Sequence, residues 1–206
     1  MRGIYDRSSL KGDFLVILED QTSEDFERFA PERQFCDYIE GRVYMPSPVS
    51  QRHQEQVGFF HHLLVGFRGV SGLAGGLMGP AVLRIDQEHK PEPDVFVLPG
   101  PDDSPGLPAI FAMEVISPPS RSNDLGRKVG MYKAAGIPEI WTLDEYEHEL
   151  IVERRLGDMY SREVFESGRV ASSSMPGFWI DLGWLWADRL PLAPACLPTI
   201  LAGPPA

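Results

Sequence analysis

The sequence predicts a mixed α/β fold, in which a central mixed β-sheet is flanked by helices. Segments with helical and strand periodicity alternate along the chain, in the order helix, three strands, helix and strand. The connector 99–108 is rich in Pro and Gly and too short to hold a helix, which favours an antiparallel hairpin between the strands on either side. The length of 206 residues suits one domain with a substantial hydrophobic core.

The amino-terminal elements are a short helix, a hairpin and a longer helix, preceded by an arm. Residues 1–21 are predicted to form a flexible arm. Thr22 or Ser23 can then cap a short helix whose first turn is acidic. The stretch 33–48 predicts two short strands joined at its Glu-Gly dipeptide. The stretch 50–67 has apolar residues along one face, which predicts a helix packed on a sheet.

Strands and one helix make up the centre of the chain. The stretch 75–86 predicts a strand, and 91–100 predicts a short apolar strand. A third strand is predicted over 109–117. A helix is expected over 122–136, because Gly and Pro end it, and a strand is expected over 138–144.

The carboxy-terminal part predicts a further hairpin, which turns at Gly157 and Asp158. A late apolar segment covers 175–186. The tail 188–206 is rich in Pro and is expected to be extended or disordered. The sequence therefore predicts a single folded domain over 22–187, between an arm and a tail.

The protein is strongly acidic, with a net charge of −11. This charge disfavours nonspecific binding to nucleic acid, which depends on Lys and Arg side chains that neutralise phosphates. The segment 118–136 is an exception, because its local charge is +3. Its charged residues are Arg121, Asp124, Arg127, Lys128 and Lys133.

The sequence shows none of the usual marks of a secreted or membrane protein. Cys36 and Cys196 are far apart and lack the spacing of a zinc site or of a disulfide framework. No apolar run approaches the roughly 20 residues that a membrane-spanning helix needs. The amino terminus has no long apolar segment of the kind found in signal peptides. We expect a cytoplasmic protein with no membrane partner.

Glu114 is unusual in its segment, because the residues around it are Ala-Ile-Phe-Ala-Met and Val-Ile. Such a run is typical of a strand that is apolar on both faces. Burying an ionised carboxylate there costs several kcal/mol unless a partner or a metal compensates. A structural ion pair and a functional site both remain open as explanations.

The predicted hairpin brings Asp94 close to Glu114. The connector 99–108 is centred on 103.5, and the two carboxylate positions average to 104. Directly opposed side chains in an antiparallel pair have Cβ atoms roughly 4.5–5.5 Å apart. Two negative charges at that separation repel each other unless a cation lies between them. A slip of one residue in the register would separate them.

Lys128 adds a third charged group to this edge of the sheet, about 60° from the buried stripe of its helix. Two carboxylates can hold Mg²⁺ or Mn²⁺ through oxygen ligands. A nearby lysine can orient a water molecule or stabilise charge on a phosphate. Because a bound metal ion acts as a Lewis acid, these groups suit phosphodiester hydrolysis. A simple helical ion pair between Asp124 and Lys128 is the alternative.

Three stretches carry a family resemblance: "EPDVFVL", "MEVISPPSRSNDLGRKVGMYKAAGIPEIWTLD" and "MPGFWIDL". They resemble the Uma-type family of putative restriction endonucleases, in the PD-(D/E)XK nuclease superfamily, over about 22–186. The resemblance implies a restriction-endonuclease-like core, with an N-terminal helix and hairpin and a C-terminal hairpin extension. Asp94 and Glu114 match the family's metal ligands, with the backbone carbonyl of Val115 as a third. The superfamily's catalytic lysine usually lies two residues after the glutamate, where this chain has Ile116. In this family the lysine lies in the following helix instead, so Lys128 matches it.

The resemblance also implies a set of supporting residues. Asp37 occupies a position where the family has glutamate, and His53 matches a histidine at the start of the next helix. Asp124 matches an aspartate one turn before the lysine. Arg121 and Arg127 are expected to contact phosphate. Each also has an ordinary explanation, as a helix cap or as part of a solvated helix face.

The function implied is that of an endonuclease that uses Mg²⁺ or Mn²⁺ to hydrolyse DNA. Related nucleases suggest a homodimer, because two active sites can cut two strands. A noncatalytic nuclease-fold module that binds nucleic acid or a protein is the alternative, since a fold does not guarantee chemistry. A phosphoesterase that acts on nucleotides or RNA is a third possibility.

Overall fold

The computed structural model describes residues 14–29, 35–72, 77–79, 81–100, 109–116 and 123–203. Along the chain the strands are β1 (Leu15–Leu18), β2 (Asp37–Ile39), β3 (Arg42–Pro46), β4 (Leu77–Met78), β5 (His89–Lys90), β6 (Val95–Val97), β7 (Phe111–Val115), β8 (Glu139–Asp144), β9 (Glu149–Leu156), β10 (Met159–Phe165), β11 (Arg169–Ala171) and β12 (Trp179–Asp181). The helices are α1 (Ser23–Phe29), α2 (Gln51–Ser71), α3 (Val129–Ala134), α4 (Leu182–Trp186) and α5 (Ala193–Leu201). A π-helical turn, Asn123–Lys128, leads directly into α3.

A six-stranded sheet in the order β10-β9-β8-β7-β6-β4 forms the centre of the protein. Strands β7 and β8 run parallel, whereas the other neighbours in this sheet are antiparallel. A four-stranded sheet in the order β1-β3-β2-β5 lies beside it. This architecture confirms the prediction of a mixed sheet flanked by helices.

The β6–β7 pair has the register that the sequence predicted. Val95 lies opposite Met113, and Val97 lies opposite Phe111. One further step along the same antiparallel register sets Asp94 opposite Glu114. The middle of the connector falls within 101–108, which is outside the described residues.

Helices cover both faces of the central sheet because the strands are apolar on both sides. Helix α2 packs on the face that carries Met113 and Trp141, and the ring of Phe60 lies 6.3 Å from that of Trp141. Helix α3 packs on the opposite face, where Tyr132 lies among the buried residues that include Ile140. The carboxyl end of β7 therefore lies between the two helices.

Both ends of the described chain are more ordered than the sequence predicted. The predicted arm 1–21 includes β1, which pairs with β3. The predicted tail 188–206 includes α5, which packs on α2 instead of extending into solvent. The indole N–H of Trp179 donates to the carbonyl of Ile200 at 3.2 Å. Burial of the apolar face of α5 accounts for this difference.

Three further predictions have mixed outcomes. The hairpin with a turn at Gly157 is confirmed as β9–β10. In contrast, β4 is the only strand among the described residues of the range 75–86, because residues 81–86 are irregular. The helix predicted over 122–136 begins as a π-helical turn. None of the helices in the described ranges is long and apolar enough to cross a membrane.

Candidate active site

The two predicted metal ligands lie at one end of the β6–β7 hairpin. Asp94 immediately precedes β6, and Glu114 is the fourth residue of β7. Their exposed fractions are 6% and 2%. The carboxylate of Asp94 is oriented by the main-chain N–H of Val115, which donates to Oδ2 at 2.7 Å. The hairpin thus brings both carboxylates to the same edge of the sheet.

Glu114 is held by two donors from the following helix. The Nζ atom of Lys128 lies 2.8 Å from Glu114 Oε1, and the hydroxyl of Tyr132 donates to the same oxygen at 2.5 Å. Lys128 closes the π-helical turn, and Tyr132 follows four residues later, so the two side chains share one helix face. π-helical turns are frequent at functional sites.

Lys128 also joins the two sheets. Its Nζ atom lies 3.5 Å from Oδ1 of Asp37, in β2 of the four-stranded sheet, and donates to the carbonyl of Glu92 at 3.1 Å. Asp37 Oδ1 in turn accepts from the main-chain N–H of Glu92 at 2.8 Å. A lysine that is only 2% exposed therefore neutralises carboxylates from two sheets.

Glu92 is a fourth buried carboxyl group in this region. Its Oε2 atom accepts from the main-chain N–H of Cys36 at 3.2 Å. Burial raises the pKa of the Glu92 carboxyl to about 7; the bond from Cys36 and the charge of Lys128 oppose this rise, whereas Asp37 adds to it. Burial, followed by the charges of Glu92 and Asp37, raises the pKa of the Cys36 thiol to about 12, which disfavours its nucleophilic thiolate form.

His53 reaches the site from the first turn of α2. Ser50 caps the helix by accepting from the main-chain N–H of His53 at 3.0 Å. The Nε2 atom of His53 lies 2.9 Å from the carbonyl oxygen of Val115 and 3.4 Å from Oδ2 of Asp94. The imidazole therefore contacts both the carbonyl and the carboxylate that the sequence assigned to a metal.

The donor set of the site fits a hard divalent cation. Asp94, Glu114 and the carbonyl of Val115 supply oxygen atoms at one strand end, and oxygen is the ligand that Mg²⁺ and Mn²⁺ prefer. Within the described ranges, no three His, Cys, Asp or Glu side chains form a ready-made metal cage. Two carboxylates and a carbonyl would hold the ion together with water, as is usual for Mg²⁺.

The structure describes three of the four basic residues in the segment 118–136. Lys128 is buried, and Lys133 pairs with Glu153 at 2.7 Å. Arg127 is exposed, and its guanidinium lies 4.4 Å from the centre of the Tyr44 ring. Arg121 lies outside the described residues, as does the side chain of Asp124.

The structure brings together five of the predicted residues: Asp37, His53, Asp94, Glu114 and Lys128. Sequence reasoning missed Glu92 and Tyr132 as members of this cluster. The spacing of Tyr132, one turn after Lys128, was the available indication of a shared helix face.

Comparisons with known proteins agree with this fold. A crystal structure described as a putative nuclease belonging to DUF820, from Anabaena variabilis, superposes with a TM-score of 0.68. The match covers 80% of this chain and 97% of that chain, at 16% sequence identity, and therefore shows the fold alone. No curated protein matches the chain significantly. Residues 23–183 match the Uma2 family, described as "Putative restriction endonuclease". Because this match spans most of the sequence, the chain belongs to the Uma2 family of nuclease-like proteins.

Proposed function

We propose that this protein is a metal-dependent endonuclease that hydrolyses DNA phosphodiester bonds. Asp94, Glu114 and the carbonyl of Val115 would hold Mg²⁺ or Mn²⁺, and Lys128 would assist the reaction. The observation that carries the proposal is the placement of two buried carboxylates, Asp94 and Glu114, at one end of the β6–β7 hairpin, with the buried Lys128 2.8 Å from Glu114 and 3.5 Å from Asp37. This arrangement has an excess of negative charge that a divalent cation would balance.

The chain's own groups have distinct tasks in this proposal. The N–H of Val115 fixes Asp94, and Tyr132 fixes Glu114, so both carboxylates are held in position before substrate arrives. Lys128 lies 2.8 Å from Glu114 and would donate to the phosphate or to the attacking water. A bound divalent ion supplies Lewis acidity and lowers the pKa of a coordinated water molecule.

His53, Asp37 and Asp124 would support this arrangement. His53 lies against both Val115 and Asp94 and would keep the carbonyl and the carboxylate aligned. Asp37 would hold Lys128 in place, although it is one methylene shorter than the family's glutamate. We carry Asp124 over from the family resemblance alone.

Arg127 and Arg121 would contact the DNA backbone. The ring of Tyr44 lies beneath the Arg127 guanidinium and would hold it in place. With a net charge of −11, however, the protein as a whole repels DNA. We therefore expect weak binding that depends strongly on salt, and a homodimer would place two sites on the two strands.

The test is cleavage of supercoiled plasmid at low salt with Mg²⁺ or Mn²⁺. Wild type is compared with Glu114→Gln and Lys128→Ala, and with Glu166→Gln as a control at an exposed carboxylate. Nicking that needs metal, persists in the control and disappears in both site variants is the expected result. Equal nicking in all four proteins would identify a contaminant and refute the assignment.

A noncatalytic nuclease-fold module remains the second candidate. The observation that favours it is the engagement of Lys128 by three oxygens, from Glu114, Asp37 and Glu92. Binding of Mn²⁺ distinguishes the two candidates. A rise in melting temperature with millimolar Mn²⁺ supports the enzyme, whereas DNA binding without any metal response supports the module.

A further inference from the structure

Gln56 is a buried polar residue without a partner in the described part of the chain. Its exposed fraction is 0%, and neither its amide nitrogen nor its amide oxygen makes a hydrogen bond there. Leaving both polar atoms of a buried amide unsatisfied destabilises a folded protein. Such groups are rare in native structures, and water or an ion often explains them.

Gln56 lies one turn after His53, on the same buried face of α2. Residues three apart on a helix are neighbours, with Cβ atoms about 5–6 Å apart. Helical side chains also lean toward the amino terminus of their helix. We therefore expect the amide of Gln56 to face the turn that carries His53. His53 contacts Val115 and Asp94, so this orientation would place the unsatisfied amide beside the candidate site.

Thr142 presents a second unsatisfied group beside the same strand end. It is the β8 partner of Glu114 in the parallel ladder, so the two side chains lie on the same face of the sheet. Its Oγ1 atom is buried and has no hydrogen-bond partner within the described ranges. Gln56 belongs to α2, which packs on one face of the sheet, whereas Thr142 lies on the opposite face with Glu114.

We propose that Gln56 and Thr142 hold water molecules that belong to a hydrated divalent cation at this site. Mg²⁺ bound by one or two carboxylates keeps several of its waters, and each of those waters needs hydrogen-bond partners. An amide supplies donors and an acceptor, and a hydroxyl supplies both as well. The inference rests on the proposed function, because it takes the cation held by Asp94 and Glu114 as its ligand.

The variants that test this proposal are Gln56→Met and Thr142→Val, which remove the polar atoms and keep the approximate volume. Gln54→Met is the matched control, since Gln54 is exposed on the same helix. Without metal, we expect Gln56→Met to melt about 2–4 °C above wild type, because an unsatisfied buried amide is lost. The Mn²⁺ dissociation constant, measured by titration calorimetry, is expected to increase about tenfold in both site variants.

The outcomes separate this inference from the proposed function. A wild-type protein that binds no Mn²⁺ overturns the metal site and this inference with it. Normal binding by wild type together with unchanged binding by both variants overturns the inference alone. If Gln56→Met does not fold, the Mn²⁺ dissociation constant of Thr142→Val alone tests the inference. A Mn²⁺-bound crystal structure without water at either side chain would also overturn it, whatever the activity of the enzyme.

Discussion

Replacing Glu92 by glutamine should stabilise the metal-free protein at pH 8 and leave its stability near pH 4.5 almost unchanged. The carboxyl of Glu92 has a pKa of about 7 in the folded protein, mainly because it is buried, against an ordinary value of 4.5. Between these values the folded state holds a proton that the unfolded state has lost. Protonation of Glu92 therefore contributes its full share to the free energy of unfolding below pH 4.5, and this contribution is lost as the pH rises through 7. Glutamine mimics the protonated form at every pH.

The expected magnitude follows from the two pKa values. At 1.36 kcal/mol for each pKa unit, the gap between 4.5 and about 7 corresponds to about 3 kcal/mol of unfolding free energy. For a protein of this length, that difference raises the melting temperature by about 6–12 °C at pH 8. Glutamine keeps an oxygen that can accept from the N–H of Cys36, so the local hydrogen bond is preserved. The NH₂ group of glutamine takes the place of the O–H group of the protonated acid, so we expect little change in stability at low pH.

The assay is urea unfolding of wild type and Glu92→Gln at pH 5, 6, 7 and 8, with a chelator present throughout. The difference in unfolding free energy should grow steadily with pH, and the exposed control Glu166→Gln should show no such growth. Parallel pH profiles for wild type and Glu92→Gln would refute the reasoning. They would mean that the buried carboxyl group is ionised at little cost, through compensation by Lys128 or by solvent.

Three other predictions concern the site and the carboxy-terminal helix. Tyr132→Phe removes a hydrogen-bond donor to Glu114 and should lower the cleavage rate about tenfold. The free energy of unfolding, measured with urea, should fall by only about 1–3 kcal/mol. An unchanged cleavage rate would contradict a positioning role for Tyr132. Arg127→Ala should reduce by about one the slope of log DNA affinity against log salt concentration, measured by fluorescence anisotropy. An unchanged slope would mean that Arg127 does not contact phosphate. Ile200→Ala should cost about 2–5 kcal/mol because Ile200 is buried in the α2–α5 packing, whereas a disordered tail predicts no loss.

The central hairpin could be predicted because its register depends on local sequence. The Pro- and Gly-rich connector fixes where the chain turns, and the positions of Asp94 and Glu114 are nearly symmetrical about its centre. The connector is too short to hold a crossover helix, which favours an antiparallel pair, and the alternation of side chains between the two faces of the sheet favours registers that keep both apolar faces buried. The β6–β7 register therefore agrees with the prediction, and both carboxylates lie at one sheet edge.

The contacts of Lys128 with Asp37 and Glu92 could not be predicted, because these residues come from separate parts of the fold. Asp37 belongs to a different sheet, and the carbonyl of Glu92 lies in the segment before β6. The burial of Glu92 depends on how β2 packs against that segment. The local charge of 118–136 could not show which of its basic side chains are paired, for a similar reason. Lys133 pairs with Glu153, which belongs to a strand that follows later in the chain.

The carboxy-terminal helix α5 was missed although the sequence contained an indication of it. Ala193, Cys196 and Ile200 are spaced by three and four residues, which is the helical pattern, and all three are buried. The Pro content of the segment favoured an extended chain instead. Proline is tolerated in the first turn of a helix, so Pro194 was compatible with a helical start. The α2 surface that buries this face is a tertiary feature, and composition could not show it.

The contacts of Lys128 suggest why metal and catalysis would be linked in the proposed enzyme. An ammonium group has three donors, and Lys128 lies close to oxygens of Glu114, Asp37 and Glu92. A lysine held in this way can donate to a phosphate only if one of these contacts is given up. The Glu114 contact is the one we expect to be released, because a cation bound to Glu114 would compensate the negative charge that Lys128 otherwise neutralises. In the absence of metal, the same carboxylates keep Lys128 engaged, so bound DNA alone would not recruit it.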